Sequence, residues 1–265
     1  MIPLYMYLLL GCISGFLSGL LGVGGGLILV PALLFIFSML DVIPNNQLMH
    51  LSIGTSLACS IVNLIFSVRI HDRNQAIRWP IFFAMAPGVL VGALFLGPRI
   101  LLMINSDYLK IGFGLFCLLI GIQMIFASKR DMVFQEKLPN NIVISFLGLC
   151  IGSISTLLGV AGGVMIGTLL HSFHMDIRNV IGTTAAICIV IAVAGTIGLI
   201  FVGYHQPNLP KWSSGFIYWP AFLGIVLPSP FVTPTGAALS HRLPKKMLRV
   251  LFAGLVLMIG LRMLL

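Results

Sequence analysis

Four hydroxyl side chains stand at matched places in this chain. Ile53-Gly54-Thr55-Ser56 returns as Ile181-Gly182-Thr183-Thr184. Hydroxyls that follow a glycine can turn toward a ligand and donate to the oxygens of an anion. The ordinary use of Ser or Thr in an apolar helix is a bond to a carbonyl one turn back. Recurrence of the pair in both halves speaks for a ligand. The second chemistry-bearing feature is a glycine-dense stretch, Gly15-Phe16-Leu17-Ser18-Gly19-Leu20-Leu21-Gly22-Val23-Gly24-Gly25-Gly26. It returns as Gly152-Ser153-Ile154-Ser155-Thr156-Leu157-Leu158-Gly159-Val160-Ala161-Gly162-Gly163, with 8 of 12 positions identical, so the two stretches are copies of one device. Glycines open the backbone and let a ligand reach bare N–H groups. A helix that restarts after such a break aims its positive end and several unpaired donors at whatever sits there, which suits an anion. The candidate binding residues are therefore Gly24, Gly25, Gly26, Thr55, Ser56, Gly162, Gly163, Thr183 and Thr184. Small-xxx-small spacing (Gly15, Gly19; Gly22, Gly26) also packs membrane helices. Three consecutive glycines cost about 1 kcal/mol each in a helix, and packing needs only one per turn. Ser18 and Ser155 lie on that packing stripe and are read as packing residues.

Other chemistries find no support. The six acids, Asp41, Asp72, Asp107, Asp131, Glu136 and Asp176, all fall in loops or at helix edges. A buried carboxylate would repel an anion, and its absence also removes the usual proton relay of pumps. Coupling would fall to His50, near the start of the second span, to Asn63 within it, to backbone sites or to the substrate's own proton. Asn63, costly in lipid, is expected to face protein or a cavity; its aligned partner is Ile191. His171 and His174 lack a third ligand, and the five cysteines show no paired spacing, so no metal, disulfide or cofactor is expected. A membrane serine protease would need Gly-x-Ser-Gly and a metalloprotease His-Glu-x-x-His; both are missing, and the chain does not read as an enzyme.

The Gly-x-x-x-x-x-x-Gly-x-Gly-Gly-Gly pattern with Pro31 five residues on, its echo in the second half, and the paired Ile-Gly-Thr segments resemble the sulfite exporter TauE/SafE family of bacterial anion permeases. The resemblance covers essentially the whole chain. It implies a multi-pass protein of the bacterial plasma (inner) membrane that exports a small inorganic or organic anion. The alternative is a non-transporting assembly subunit whose glycines only pack helices. The second copy departs from the pattern at Thr168, which stands for Pro31, and at Ala161, which stands for Gly24, so the half-sites need not be equivalent.

These residues must be positioned by membrane helices. Of 265 residues 59% are hydrophobic and only 8% charged, far below the roughly 25% of soluble domains. The expected class is an all-α polytopic membrane protein with two homologous halves, residues 1–128 and 142–265, joined by a polar linker 129–141. The net charge of +9 sits in short loops and points to lipid headgroups, not nucleic acid; a homo-oligomer is left open. Trp79-Pro80 returns as Trp219-Pro220, and Leu109-Lys110 as Leu248-Arg249. Segments 3–37 and 142–173 are too long for one upright crossing, which takes about 20 residues. If all eight segments cross, Lys and Arg divide 8 to 7 between the sides. If the two glycine-broken segments are re-entrant hairpins, 11 fall on one side and only Arg99, Lys110, Lys211 and Arg262 on the other, as the positive-inside rule asks. The preferred architecture is an inverted repeat of three crossings plus one hairpin per half, with both termini outside. Eight full crossings is the alternative.

Overall fold

The computed structural model describes residues 2–21, 25–39, 43–126, 139–207, 209–240 and 245–264. Gly24, Asp41, Asp131, Glu136 and most of the expected linker lie outside them.

The protein is an all-α polytopic membrane protein. Each half opens with a broken pair of helices: α1 (Ile2–Leu21) and α2 (Gly26–Met39), then α7 (Asn141–Leu158) and α8 (Gly163–Ser172). A long helix follows in each, α3 (Leu48–Arg73) and α9 (Ile177–Gly203). Next come α4 (Trp79–Val91), a π-helical turn Gly92–Leu96 and α5 (Gly97–Met103) in the first half, and α10 (Trp219–Val226) and α11 (Ser229–Ser240) in the second. Each half closes on a single helix, α6 (Ser106–Phe126) or α12 (Lys245–Leu264). A short antiparallel ribbon, β1 (Ser213–Ser214) with β2 (Ile217–Tyr218), precedes α10.

Proline sets the entries and bends. α4 and α10 both begin at Trp-Pro, where the missing N–H of proline costs nothing. Pro98 would drive its ring into the carbonyl of Leu94 in a regular helix, and the wider π turn just before it makes room. In the second half the chain breaks at Leu227-Pro228 before α11 begins at Ser229.

α3 and α9 form the centre. They are 67% and 61% buried over their most apolar windows, against 33–39% for the other long spans. The outer helices turn Leu9, Phe83, Leu119 and Phe146 outward, as lipid-facing surfaces do. The helices exchange partners between halves. α1 packs on α10 and α11, α7 on α4 and α5, α3 on α9, and α6 on α12.

Neighbouring residues fix the directions. Gly224 meets Tyr7, Gly11 meets Ile225, and Gly15 meets Ser229, so α1 runs parallel to α10–α11. Gly88 meets Ser145, Gly92 meets Leu149, and Gly97 meets Thr156, so α7 runs parallel to α4–α5. Gly114 against Gly260 and Gly121 against Ala253 make α6 and α12 antiparallel. α2 then doubles back along α1: Gly25 lies beside Ser14 and Ser18, while the Phe37 ring packs edge-on against Tyr7 with centroids 6.5 Å apart. At that same end α3 and α6 begin, tied by the Met49 N–H donating to Ser106 Oγ at 3.0 Å. At 1.5 Å per residue α2 is about 21 Å long and α8 about 15 Å, both short of a hydrocarbon core of about 30 Å.

Candidate functional site

Each broken pair turns on a glycine in the left-handed region. Gly25 has φ +79° and its repeat equivalent Gly162 has φ +80°. L-residues avoid that region because Cβ crowds the backbone. α7 ends one step earlier on Gly159, also left-handed at φ +66°, with the Val160 N–H donating to the Ser155 carbonyl at 3.1 Å. α2 and α8 restart immediately, the Ile166 N–H closing the first turn of α8 on the Gly162 carbonyl at 2.9 Å. Their leading N–H groups have no acceptor within the helix.

The two breaks touch. A Cβ on Gly26 would lie 2.9 Å from the Gly159 carbonyl oxygen and 3.1 Å from Val160 Cα. Ser56 Oγ donates to that same Gly159 carbonyl at 2.9 Å. The first half's α2 and α3 thus meet the second half's tip through bare backbone.

The two Ile-Gly-Thr segments are engaged symmetrically. Thr55 Oγ1 accepts the Tyr218 N–H at 3.1 Å, and Thr183 Oγ1 accepts the Arg78 N–H at 2.9 Å. Both donors immediately precede a Trp-Pro helix start in the opposite half. The preceding glycine lets the incoming loop close in: a Cβ on Gly54 would collide with the Phe216 carbonyl, and one on Gly182 with the Ala76 carbonyl. The second members of the pairs differ. Ser56 bonds across the tips, while Thr184 Oγ1 is buried with no hydrogen-bond partner among the described residues and sits 3.8 Å from where a Cβ of Gly167 would stand.

Asn63 lies beside Gly25 in the buried face of α3. Its Oδ1 accepts a hydrogen bond from Ser229 Oγ at the start of α11. Sequence reasoning reads Pro228-Ser229-Pro230 as a distortion of this segment that either lines the pathway or ends a helix early, and does not give the Ser229 hydroxyl its partner. His50 sits deeper toward the start of α3, its ring 5.2 Å from that of Phe216. Nε2 is 3.1 Å from the Leu101 carbonyl, so it carries the proton, and Nδ1, buried and without a hydrogen-bond partner among the described residues, is left as an acceptor. The described acids Asp72, Asp107 and Asp176 stand at helix ends, and the cysteines are free. A cleft of about 770 Å³ opens between α2, α6 and α12, lined by Ile28, Pro31, Phe35, Lys110 and Arg262 among others.

Two glycine-broken helix pairs meeting inside an all-helical bundle agree with what the chain resembles as a whole. Residues 7–263 match the profile of the family described as sulfite exporter TauE/SafE. The chain belongs to that family. A Haemophilus influenzae protein named "Probable membrane transporter protein" is 32% identical over 97% of this chain and 96% of its own length. Relatives of the same designation from Methanocaldococcus jannaschii, at 26% identity over 98% of this chain and 95% of the relative, and from Bacillus subtilis, at 22% over 95% and 93%, align just as fully. No solved structure matches the chain. Family, relatives and apolar helices together make this TauE/SafE-family chain a multi-pass membrane transporter.

Proposed function

We propose that this transporter exports a small anion, such as sulfite or an organosulfonate, across the bacterial inner membrane and holds it at the two glycine tips. The observation that carries the reading is the contact of the two breaks, Gly26 against Gly159 and Val160, beside left-handed turns at Gly25 and Gly162 that are each followed at once by a helix N-terminus. Gly25, Gly26, Gly162 and Gly163 offer backbone N–H groups and Thr184 its hydroxyl, whereas Ser56, expected as a ligand, gives its proton to the Gly159 carbonyl and ties the tips together. Thr55 and Thr183 act one step removed, by clasping the loops that brace the opposite half. No chemical conversion is assigned to the site: it binds and releases.

In the membrane, α3, α4–α5, α6, α9, α10–α11 and α12 are the six crossings, and α1–α2 and α7–α8 enter from opposite faces as hairpins. Residues 1–128 and 142–265 are then inverted repeats, and the exchange of partners between them supports this reading. The basic ends, including Arg178, whose Nη2 donates to the Asn74 carbonyl at 2.9 Å, face the cytoplasm. Alternate exposure follows from rocking one half against the other about the tips. If a proton accompanies the anion, His50 is the side chain placed to carry it, through Nδ1, which has no partner among the described residues.

The test is uptake of sulfite and simple sulfonates into proteoliposomes, with and without a pH gradient. Saturable flux that needs both glycine tips is the expected result. No flux of any anion would leave the glycines as packing residues only.

A further inference from the structure

The two tips carry one difference that falls where an anion would sit. Asn63 and its repeat equivalent Ile191 occupy matched places on α3 and α9 and face matched glycines. A Cβ on Gly25 would stand 3.8 Å from Asn63 Nδ2, and one on Gly162 would stand 2.7 Å from Ile191 Cδ1. The next layer differs in the same sense. Gly15 of α1 packs on Ser229, whereas its counterpart Gly152 packs on Val89. In those two places the first tip is therefore backed by an amide and a hydroxyl and the second by two aliphatic side chains, while the one hydroxyl beside Gly162, that of Ser155, is turned to the Met165 sulfur at 3.9 Å.

Asn63 is only 4% exposed. Ser229 occupies its carbonyl oxygen, which turns the NH₂ group toward Gly25, and among the described residues nothing accepts from Nδ2. A buried amide with open donors is costly unless something arrives to accept them. α2 begins one residue beyond Gly25 and runs for 14 residues, so the same spot faces a helix N-terminus. Two independent donors, the side-chain amide and the helix end, converge there.

We infer that the charged head of the anion is held at the first tip, by Asn63 Nδ2 together with the leading N–H groups of α2, and that Ser229 positions Asn63 for this. The second tip has no amide in that place. This rests on the proposed anion site at the glycines and assigns its polar end.

The test compares Asn63→Leu with Ser229→Ala in proteoliposome uptake of sulfite. Both variants remove the Asn63–Ser229 tie, but only the first removes the donors. Asn63→Leu is expected to raise KM for sulfite about tenfold or more with Vmax largely kept, and Ser229→Ala to raise it less than about threefold. Equal losses in the two variants would make the pair a helix tie and overturn the inference. So would wild-type KM in Asn63→Leu while Gly25→Ala with Gly162→Ala abolishes flux, a result that would leave the glycine site standing. Wild-type flux in that double glycine variant would remove the glycine site and the inference with it. Monodisperse elution and a cooperative melt of each variant show that folding is retained.

Discussion

Gly25→Ala and Gly162→Ala impose one backbone conflict in two different surroundings. Both glycines sit near φ +80°, where a Cβ costs about 1–2 kcal/mol. At Gly25 the nearest atom to an added Cβ is the Ser14 carbonyl oxygen at 3.5 Å, an ordinary contact. The conflict there is dihedral alone, and the expected loss of stability is about 1–2 kcal/mol. At Gly162 the Cβ would lie 2.7 Å from Ile191 Cδ1 and 2.8 Å from Ser155 Oγ. Both side chains must move, and crowding of that kind adds about 1–3 kcal/mol. Denaturant unfolding in detergent should therefore rank wild type above Gly25→Ala and Gly25→Ala above Gly162→Ala. Gly25→Asn should lose less than Gly25→Ala, because Asn tolerates the left-handed region. The strain can also be relieved by rotating the peptide, which turns a tip N–H away from the ligand. A hydrogen bond to a charged group is worth about 1.5–3 kcal/mol, so KM for the anion should rise roughly 10- to 150-fold. Gly25→Ala with wild-type stability and wild-type KM would refute the reasoning: the left-handed turn would then be dispensable.

Thr55→Val and Thr183→Val each strip the acceptor from a backbone N–H, of Tyr218 or Arg78, and should cost about 1–3 kcal/mol in unfolding free energy while leaving KM near wild type. Gly54→Ala and Gly182→Ala push a methyl into the Phe216 or Ala76 carbonyl and should lower stability by about 1–3 kcal/mol, read by the same unfolding assay. A cysteine placed at the exposed Asn45 should react with an impermeant thiol reagent on the same side as the N-terminus; reaction on the opposite side would overturn the hairpin reading. His50→Gln should remove any stimulation of uptake by a pH gradient while leaving sulfite KM unchanged.

Much of the architecture was legible because glycine and proline leave unambiguous marks. Consecutive glycines are costly inside a helix, and helices do restart at Gly26 and Gly163. Trp79-Pro80 and Trp219-Pro220 open helices where their types suggest. The Ile-Gly-Thr pair was legible as a pair but not in its partners. Thr55 and Thr183 accept from loops more than a hundred residues away, and no local pattern announces which loop will arrive. The partner of Ser229 was hidden for the same reason: its bond to Asn63 spans 166 positions. Asn63 lacked a counterpart in the second half, and the repeat argument therefore passed over it. Its weight comes from where Nδ2 points, which only the folded chain reveals. The packing of Gly15 against Ser229 of α11 shows that a glycine of the motif can serve close helix contact, so spacing alone could not separate the two uses.

Whether opposed backbone turns hold an anion is most directly tested by titration calorimetry of sulfite into purified protein in detergent. Wild type should bind with a stoichiometry of one, and the Gly25→Ala, Gly162→Ala double variant, still melting cooperatively, should release no binding heat over the same range. Equal affinity in both proteins would contradict the account.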